Sequence, residues 1–393
     1  MKVVEAQDII NSLYKQITQK TDITAVDNTS LVDMGKTLQT GAYSREEIYN
    51  TIIDKVGQTV LRNRLFAVKF PKIFRSEQEF GSILETLRFK RVPAEKSEIY
   101  NTKAGNYQQD DYTPMEVEAK YFTDYADYRY SFWKPMGDQL WSAFKSLDAM
   151  TNFLSGIEIT IENSFRMDAM NLAKNVLNTK AAYTLDKEFP TGNYGANSKN
   201  MAINVWHLYK AIHPTETRTL AEMTYDKDYL AFKVFTILNT ITRMEDVSSA
   251  FNIDGQDEQT KPEELGMVLL DTQDNLFKTH LYANTYNAQF LQLPNYDTVS
   301  SFQATGTDYG QDVISEITQI INGSNGQPKT ITLKGIIGYI YDIRGVAINC
   351  ERKSTRSHYN ARIDQTRFYM DWFGQSISDP SINFAVLYEA EAE

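Results

Sequence analysis

The chain has 393 residues, more than one compact core usually holds, and its 42% hydrophobic and 23% charged residues are typical of globular proteins. The net charge of −11 argues against a protein that holds nucleic acid over a broad surface, because such binding depends on Lys and Arg that neutralise phosphates. The single cysteine, Cys350, excludes an intrachain disulfide, and we find neither a signal peptide nor a run of roughly 20 apolar residues, so we expect no export signal and no membrane span.

Residues 1–62 are predicted to form an N-terminal arm with two modest helices. The first helix is indicated by four apolar residues with helical spacing: Ile9, Ile10, Leu13 and Ile17. The second is indicated over Glu46–Leu61, where the same spacing returns. Between Thr21 and Ser44 polar turn formers dominate and no period holds, which predicts an irregular segment. We expect this arm to pack on something other than itself.

Residues 63–133 are predicted to form an extended β-hairpin loop. Short runs of Phe, Tyr, Val and Ile broken by Pro and Gly favour strands over helices. The outbound limb, Arg64–Lys96, has eight Lys and Arg against four Glu, and is net basic by four. The return limb, Ser97–Trp133, has seven Asp and Glu against three Lys and Arg, and is net acidic by four. Two limbs of opposite charge can pair with each other.

A long amphipathic helix is predicted over about residues 147–178, where apolar residues recur in steps of three and four. Lys174 and Lys180, near its predicted end, suit the helix dipole. A coiled-coil seam is the alternative, and Gly156 together with the lack of flanking charges disfavours it. The expected core residues of this helix are Leu147, Met150, Leu154, Ile157, Ile161, Leu172 and Val176.

The rest of the chain predicts a central α/β region and C-terminal strands. Residues 184–204 indicate a loop, a second helix is predicted near Tyr229–Phe251, and Asp254–Glu264 indicates a solvated connection. Val313–Ile321 predicts a short helix closed by a turn at Asn322–Gly326. Strands are predicted at Met267–Leu270, Phe290–Leu293, Thr298–Phe302, Ile336–Ile340, Gly345–Glu351, Thr366–Phe373 and Ile382–Tyr388. The fold class is therefore α+β.

The sequence contains no motif for catalysis or cofactor binding. The P-loop, the His-Glu-x-x-His pair of zinc proteases and the Gly-x-Ser-x-Gly turn of hydrolases are absent. The four histidines have no ligand-like spacing: His207, His213, His280 and His358. An acidic cluster lacks the ligand alternation of an EF-hand and favours a solvated loop: Asp254, Asp257, Glu258, Glu263 and Glu264. A glycosidase-type carboxylate pair stays open, because such pairs are recognised by their separation in space. We predict no cofactor and no metal.

The order of elements resembles that of the major capsid proteins of small short-tailed double-stranded DNA phages (podoviruses), which have the Hong Kong 97 fold. Three segments carry the resemblance. Ile53–Arg62 and the strand after it look like the junction between arm and extended loop, and Tyr125–Leu154 looks like the aromatic approach to the family's long "spine" helix. The stretch from Gly338–Gly345 to Phe384–Tyr388 looks like its last strands.

By this resemblance, residues 63–133 would reach over a neighbouring subunit. Residues 134–212 with 330–393 would form the peripheral domain, which contains the spine helix, and residues 213–329 the axial domain at the centre of each capsomer. The intersubunit contacts of the loop would then involve its basic residues: Arg64, Lys69, Lys72, Arg75, Arg88, Lys90 and Arg91.

The resemblance implies a structural protein that assembles into hexamers and pentamers of an icosahedral shell. The shell would enclose double-stranded DNA without sequence-specific binding, and a scaffolding protein and a portal would be partners during assembly. The location would be the virion, with assembly in the host bacterial cytoplasm. Two alternatives remain at this point: another phage ring protein, such as a portal or tail component, and a cytoplasmic hydrolase.

Overall fold

The structure, a computed structural model, describes residues 3–19, 22–41, 48, 51–52, 55, 73–75, 84–89, 117–122, 124–133, 142–281, 293–294, 296–303, 316–323, 326–360 and 365–391. Over these residues the fold is α+β, as the sequence predicts. Its helices are α1 (Val3–Thr18), α2 (Asn28–Thr40), α3 (Leu147–Glu188), α4 (Val205–Ile212), α5 (Leu220–Met223), α6 (Lys227–Glu245) and α7 (Asp271–Leu276), followed by a π-helical turn at Phe277–Leu281. Its strands are β1 (Phe74–Arg75), β2 (Leu84–Phe89), β3 (Val117–Phe122), β4 (Asp124–Trp133), β5 (Ala202–Asn204), β6 (Leu265–Leu270), β7 (Asp297–Val299), β8 (Glu316–Asn322), β9 (Pro328–Lys334), β10 (Ile336–Asp342), β11 (Val346–Asn360), β12 (Gln365–Ser378) and β13 (Phe384–Tyr388).

A five-stranded sheet in the order β5-β13-β10-β6-β7 forms the centre of the fold. Along β10, Ile336, Tyr339 and Tyr341 belong to one hydrophobic core and Ile337 and Ile340 to another. Side chains of a strand alternate between its faces, and an irregularity in the register between Ile336 and Gly338 shifts that alternation by one residue. The first core includes the arm helices and α3, and the second includes α4 and α6. Because helices cover both faces, β6, β10 and β13 are buried along their whole length and apolar apart from Asp342 at the end of β10, and their predicted positions are confirmed.

A second sheet has the order β1-β11-β12-β4, with β11 and β12 as a long antiparallel hairpin. Both strands contain predicted ones and extend well beyond them. Strand β4 pairs with β12 and places Arg129 opposite Asp371 in the register. The return limb of the extended loop therefore has two parts. Its strand β3 pairs with β2 of the outbound limb, and its last ten residues form β4, which belongs to the four-stranded sheet.

The arm contains a helix, α2, that the sequence did not predict. Asp27 caps it, because the Ser30 N–H donates to Oδ1 of Asp27 at 2.8 Å, and such a cap stabilises a helix start. Its buried residues are Leu31, Met34, Gly35 and Leu38, and only three of them have large apolar side chains, too few to show a period within the polar composition around them. Helix α1 is confirmed. Of the predicted helix at Glu46–Leu61, only residues 48, 51, 52 and 55 are described, and they are helical.

The arm helices pack on α3 of their own chain, in agreement with the expectation that the arm packs on something other than itself. Apolar residues of α1 and α2 lie in one core with Met150 and Leu154 of α3. The contact also includes the start of α3, where the Leu147 N–H donates to Oδ1 of Asn28 at 2.8 Å. The arm thus supplies one of the acceptors that the first turn of a helix lacks.

The long helix α3 runs to Glu188, beyond its predicted end, so the predicted loop at residues 184–204 begins only at Phe189. The interpretation of Lys174 and Lys180 as cations at the helix end is wrong, since both residues lie before the last turn of α3 and their side chains are buried. The Lys180 ammonium donates to the Asp379 carbonyl at 2.9 Å and to the Gly345 carbonyl at 3.3 Å. A buried ammonium needs such acceptors to offset its lost hydration.

The helix predicted at Val313–Ile321 is also wrong, because Glu316–Asn322 is strand β8 and pairs with β9. Its Ile and Thr content suits a strand, and its buried residues Ile317 and Ile321 lie in one core with Ile331 and Leu333 of β9. The turn predicted at Asn322–Gly326 lies between the two strands. The predicted strand Phe290–Leu293 lies outside the described residues except for Leu293.

Candidate assembly surfaces

Strands β2 and β3 form an antiparallel two-stranded sheet from the basic and acidic limbs of the extended loop. The register places Arg88 opposite Glu118 and Thr86 opposite Lys120. Within the described residues, no further strand pairs with either outer edge of this hairpin. Unpaired strand edges offer backbone donors and acceptors to another chain.

Seven basic residues were predicted to form the intersubunit contact. Arg75 lies in β1, where the register places it opposite Asn349 of β11, and Arg88 lies in β2. The other five lie outside the described residues: Arg64, Lys69, Lys72, Lys90 and Arg91.

Six of the seven predicted core residues of α3 are buried or partly buried in the core. Those that are buried are Met150, Leu154, Leu172 and Val176. Leu147 and Ile157 are partly buried and pack against the same core. The side chain of Ile161 is outside the described part of the chain.

Between Asn152 and Tyr183, the residues of α3 that the structure describes as exposed carry no charge. The exposed ones are Asn152, Gly156, Ile159, Thr160, Asn163, Met167, Asn175 and Tyr183. Ile159 and Met167 are about half exposed, at 53% and 51%. Glu158 and Glu162 belong to the same stretch of sequence, and Arg166 and Asp168 are partly buried there, so α3 offers two exposed apolar side chains among charged residues.

Helix α6 and the start of α4 are tied to the C-terminal segment by buried polar contacts. Nζ of Lys233 in α6 lies 2.5 Å from Oε1 of Glu389, and the Tyr229 hydroxyl donates to the same oxygen at 2.6 Å. Burial and the Glu389 carboxylate raise the pKa of Tyr229. The Asn204 amide donates to the Ala390 carbonyl at 2.9 Å. The sequence does not predict these contacts, because they join residues far apart in the chain.

Two carboxylates of the acidic loop after α6, Glu258 and Glu264, pair with an arginine that the sequence analysis did not single out. The Arg344 guanidinium forms ion pairs with Asp342 and Glu258 at 2.7 Å and with Glu264 at 3.2 Å. The hydrogen bond with Asp342, followed by the other carboxylates, holds the pKa of Arg344 above its usual range. The described residues contain no group of three His, Cys, Asp or Glu arranged to hold a metal ion.

A cleft of about 410 Å³ lies between α3 and β8 and is lined by amide, threonine and isoleucine side chains, among them Asn175, Asn178, Gln303 and Ile317. This lining includes no carboxylate pair and no nucleophile paired with a base, which a hydrolase would need. Within the described part of the chain, no helix is both long and apolar enough to span a membrane.

Several capsid structures from phages are similar to the chain at low sequence identity. The capsid structure of Staphylococcus phage Andhra is 11% identical, with 84% of each chain covered and a TM-score of 0.45. The capsid structure of Cyanophage P-SCSP1u is 9% identical, with 84% of this chain and 88% of that chain covered and a TM-score of 0.43. The satellite phage P4 procapsid including the size determination (Sid) protein is 10% identical, with 86% and 100% covered and a TM-score of 0.34. Among curated proteins, none matches the sequence.

The sequence profile of the Phi29-like phage major capsid proteins matches residues 7–388, nearly the whole chain. This match excludes the two alternatives, a portal or tail protein and a hydrolase. It agrees with the element order of the fold, in which an arm and an extended hairpin precede a long spine helix, a central α/β region and C-terminal strands. The chain therefore belongs to the Phi29-like phage major capsid protein family, and is a non-enzymatic structural protein of the virion whose copies form the capsid shell.

Proposed function

We propose that copies of this chain form hexamers and pentamers of an icosahedral shell around double-stranded DNA, with the β2–β3 hairpin of each subunit lying across the next subunit. Residues 1–62 would be the arm, 63–133 the extended loop, 134–212 with 330–393 the peripheral domain, and 213–329 the axial domain. A scaffolding protein and a portal would be partners during assembly. The net charge of −11 suits a shell that does not bind the packaged DNA tightly, because like charges repel.

The observation that carries this proposal is the isolation of the β2–β3 hairpin. It belongs to neither of the larger sheets, and over the described residues its two edges have no strand partner. A two-stranded sheet is marginally stable on its own, so a neighbouring subunit is the natural support. Ile159 and Met167 of α3, which are about half exposed, offer such a neighbour apolar contacts.

The experiment is a charge reversal of the basic limb, Arg88→Glu with Lys90→Glu and Arg91→Glu. Each contact recurs at every neighbour in the shell, so a small loss per contact is multiplied over the particle. We expect normal circular dichroism and thermal stability but few or no closed shells in sedimentation. Raised salt should weaken wild-type assembly in the same direction, because solvent-accessible charges are screened.

The matched control is Lys36→Glu with Lys199→Glu and Lys334→Glu, which changes the net charge equally at exposed sites outside the loop. This control should assemble like the wild type. Normal shells from the hairpin variant would contradict the intersubunit role of the limb. Equal failure of both variants would point to net charge alone, and a collapsed melting temperature would mean that these residues serve the fold.

A further inference from the structure

The cleft between α3 and β8 lies along the outer edge of β8. Its lining includes four consecutive residues of the strand: Ile317, Thr318, Gln319 and Ile320. Because successive side chains of a strand point to opposite faces, a cleft that touches all four lies beside the strand and not on one of its faces. The other edge of β8 is paired with β9. The cleft therefore opens onto the backbone of β8 along the edge opposite β9.

The hydrogen bonds between β8 and β9 show which backbone groups of β8 point toward the cleft. The Gly323 N–H donates to the carbonyl of Gln327 at 2.9 Å, and these two residues continue the register of the strand pair. Opposite residues of an antiparallel pair alternate between those that exchange hydrogen bonds and those that do not. Pro328, which has no N–H, lies opposite Asn322 in a pair that exchanges none. The residues of β8 whose N–H and C=O groups point away from β9 are therefore Glu316, Thr318, Ile320 and Asn322.

The edge of β8 and the walls of the cleft suit an extended peptide. Over the described residues, the backbone of Thr318 and Ile320 makes no hydrogen bond outside the β8–β9 pair. An unpaired strand edge binds an extended chain, whose own N–H and C=O groups continue the ladder. The described lining also supplies the side-chain amides of Asn175, Gln303 and Gln319 and carries no charge. Because Ile320 is 72% exposed beside the edge, the cleft favours a strand with apolar residues.

We propose that strand β2 of a neighbouring copy binds along this edge, so that its hairpin and the β8–β9 pair form one four-stranded sheet across the subunit boundary. This inference rests on the proposed function and names the site that receives the hairpin. The hairpin has no strand partner at its outer edges within the described residues, and β3 lies next to β12 of its own chain, which leaves β2 as the outer strand. The register places Leu87 opposite Ala119 and Phe89 opposite Val117, so one face of the hairpin has apolar residues to set beside Ile320.

The hairpin and the cleft are different surfaces of the subunit, so the contact between neighbours is heterologous. Repeated heterologous contacts close a ring, which agrees with pentamers and hexamers in which each subunit presents different faces to its two neighbours. A two-stranded sheet gains stability from added strands. The contact therefore stabilises a hairpin that is isolated in the single subunit.

The first test is photo-cross-linking in assembled shells of the full chain. The photoreactive residue p-benzoyl-phenylalanine replaces Ile320, and the labelled chain is diluted into isotope-labelled wild-type copies so that shells form and peptides of another copy are recognised. The control carries the same residue in place of Val247, which is 62% exposed and lies outside the cleft. Mass spectrometry after illumination should find position 320, but not position 247, joined to residues 84–89 of another copy. Cross-links from position 320 only to other segments, or none between copies, would overturn the proposal and leave the shell function intact, since the shells have formed.

The second test removes one outward N–H from either edge of the β8–β9 pair. Ile320→Pro removes it on the cleft side and Thr330→Pro on the far side, at two residues that lie opposite each other. Proline is tolerated where the N–H of a strand points outward, so the two variants should have similar melting temperatures. We expect Ile320→Pro to weaken each contact about tenfold, since a backbone hydrogen bond is lost and its partner is left unpaired. Closed shells in sedimentation should then be few for Ile320→Pro and normal for Thr330→Pro.

Normal shells from Ile320→Pro, or an equal loss from both proline variants, would overturn the proposal. If Ile320→Pro melts at a lower temperature than Thr330→Pro, the cross-links from position 320 decide. The charge reversal of the hairpin tests the proposed function separately, because it leaves the edge of β8 unchanged.

Discussion

Nζ of Lys233 lies 2.5 Å from Oε1 of Glu389, and this contact joins the middle of α6 to the segment after the last strand. The lysine side chain is 1% exposed and sits over the ring of Tyr229, 4.7 Å from its centroid. Gln273 accepts a further hydrogen bond from the same ammonium at 3.1 Å. The C-terminal segment therefore holds α6 in place through a buried ion pair and a hydrogen bond.

Loss of one partner from this pair should destabilise the subunit strongly. Lys233→Met leaves the Glu389 carboxylate with only the Tyr229 hydroxyl, and breaking a buried ion pair in this way costs about 3–5 kcal/mol. The measurement is urea unfolding of the unassembled subunit. Lys36→Met is the control, because Lys36 pairs with Asp33 at 3.2 Å and both side chains are exposed, at 68% and 55%, so this variant should change little. An equal loss of unfolding free energy in the two variants would show that burial of the Lys233 pair does not contribute to stability.

The buried and exposed sides of α3 should respond differently to the same substitution. Leu154→Asp places a carboxylate in the core between α3 and the arm, where Leu154 is fully buried, and should cost several kcal/mol. Ile159→Asp places it at a position that is 53% exposed and should leave the subunit folded. Thermal melting of both subunits distinguishes them. Soluble Leu154→Asp protein with a normal melting temperature would contradict the assignment of the core side.

The sequence predicted elements whose pattern has one clear period or a continuous apolar run. Helix α3 and strands β6, β10 and β13 are of this kind, because burial on one side or on both faces leaves a direct trace in the residue types. Strand β8 was misread because Ile317, Ile320 and Ile321 fit a helical period as well as an alternating one. The pairing with β9, which decides between the two, is a tertiary fact.

The candidate surfaces were predictable in part. The charge reversal between the two limbs predicted a hairpin, and β2 pairs with β3 as expected. The burial of Lys180 could not be foreseen, because its acceptors are backbone carbonyls of Gly345 and Asp379, distant in the chain. The outer edge of β8 was equally hidden, since the helix predicted at Val313–Ile321 has no strand edge.

Because Arg344 already pairs with two carboxylates of the acidic loop, we expect this loop to need no metal ion. Arg344→Gln removes the partner of the fully buried Asp342, and because Arg344 itself is 38% exposed we expect a loss of about 1–3 kcal/mol rather than the full value for a buried pair. Chelation with EDTA should leave the melting temperature and assembly of the wild type unchanged. A loss of particles on chelation that added calcium reverses would instead identify the loop as a metal site.

Alkaline conditions should destabilise the subunit through its buried tyrosines. Burial raises the pKa of Tyr339 and Tyr341 above the ordinary value of 10.0. Both hydroxyls therefore stay neutral in the folded chain at a pH at which they ionise in the unfolded chain. The resulting stability is complete below pH 10 and falls as the pH rises beyond it, by about 1.4 kcal/mol per pH unit for each group.

Tyr341→Phe isolates this effect, because the Tyr341 hydroxyl has no hydrogen-bond partner within the described residues. Removing a buried hydroxyl without a partner should leave stability at pH 7 unchanged or slightly higher. Above pH 10, the variant should lose stability less steeply than the wild type, by one proton. Tyr339→Phe should reduce the slope equally but cost about 1–3 kcal/mol at pH 7, because the Tyr339 hydroxyl donates to Oδ1 of the buried Asn178 at 2.9 Å. Urea unfolding between pH 7 and pH 11.5 measures both quantities, and an unchanged slope in both variants would show that these tyrosines do not govern alkaline unfolding.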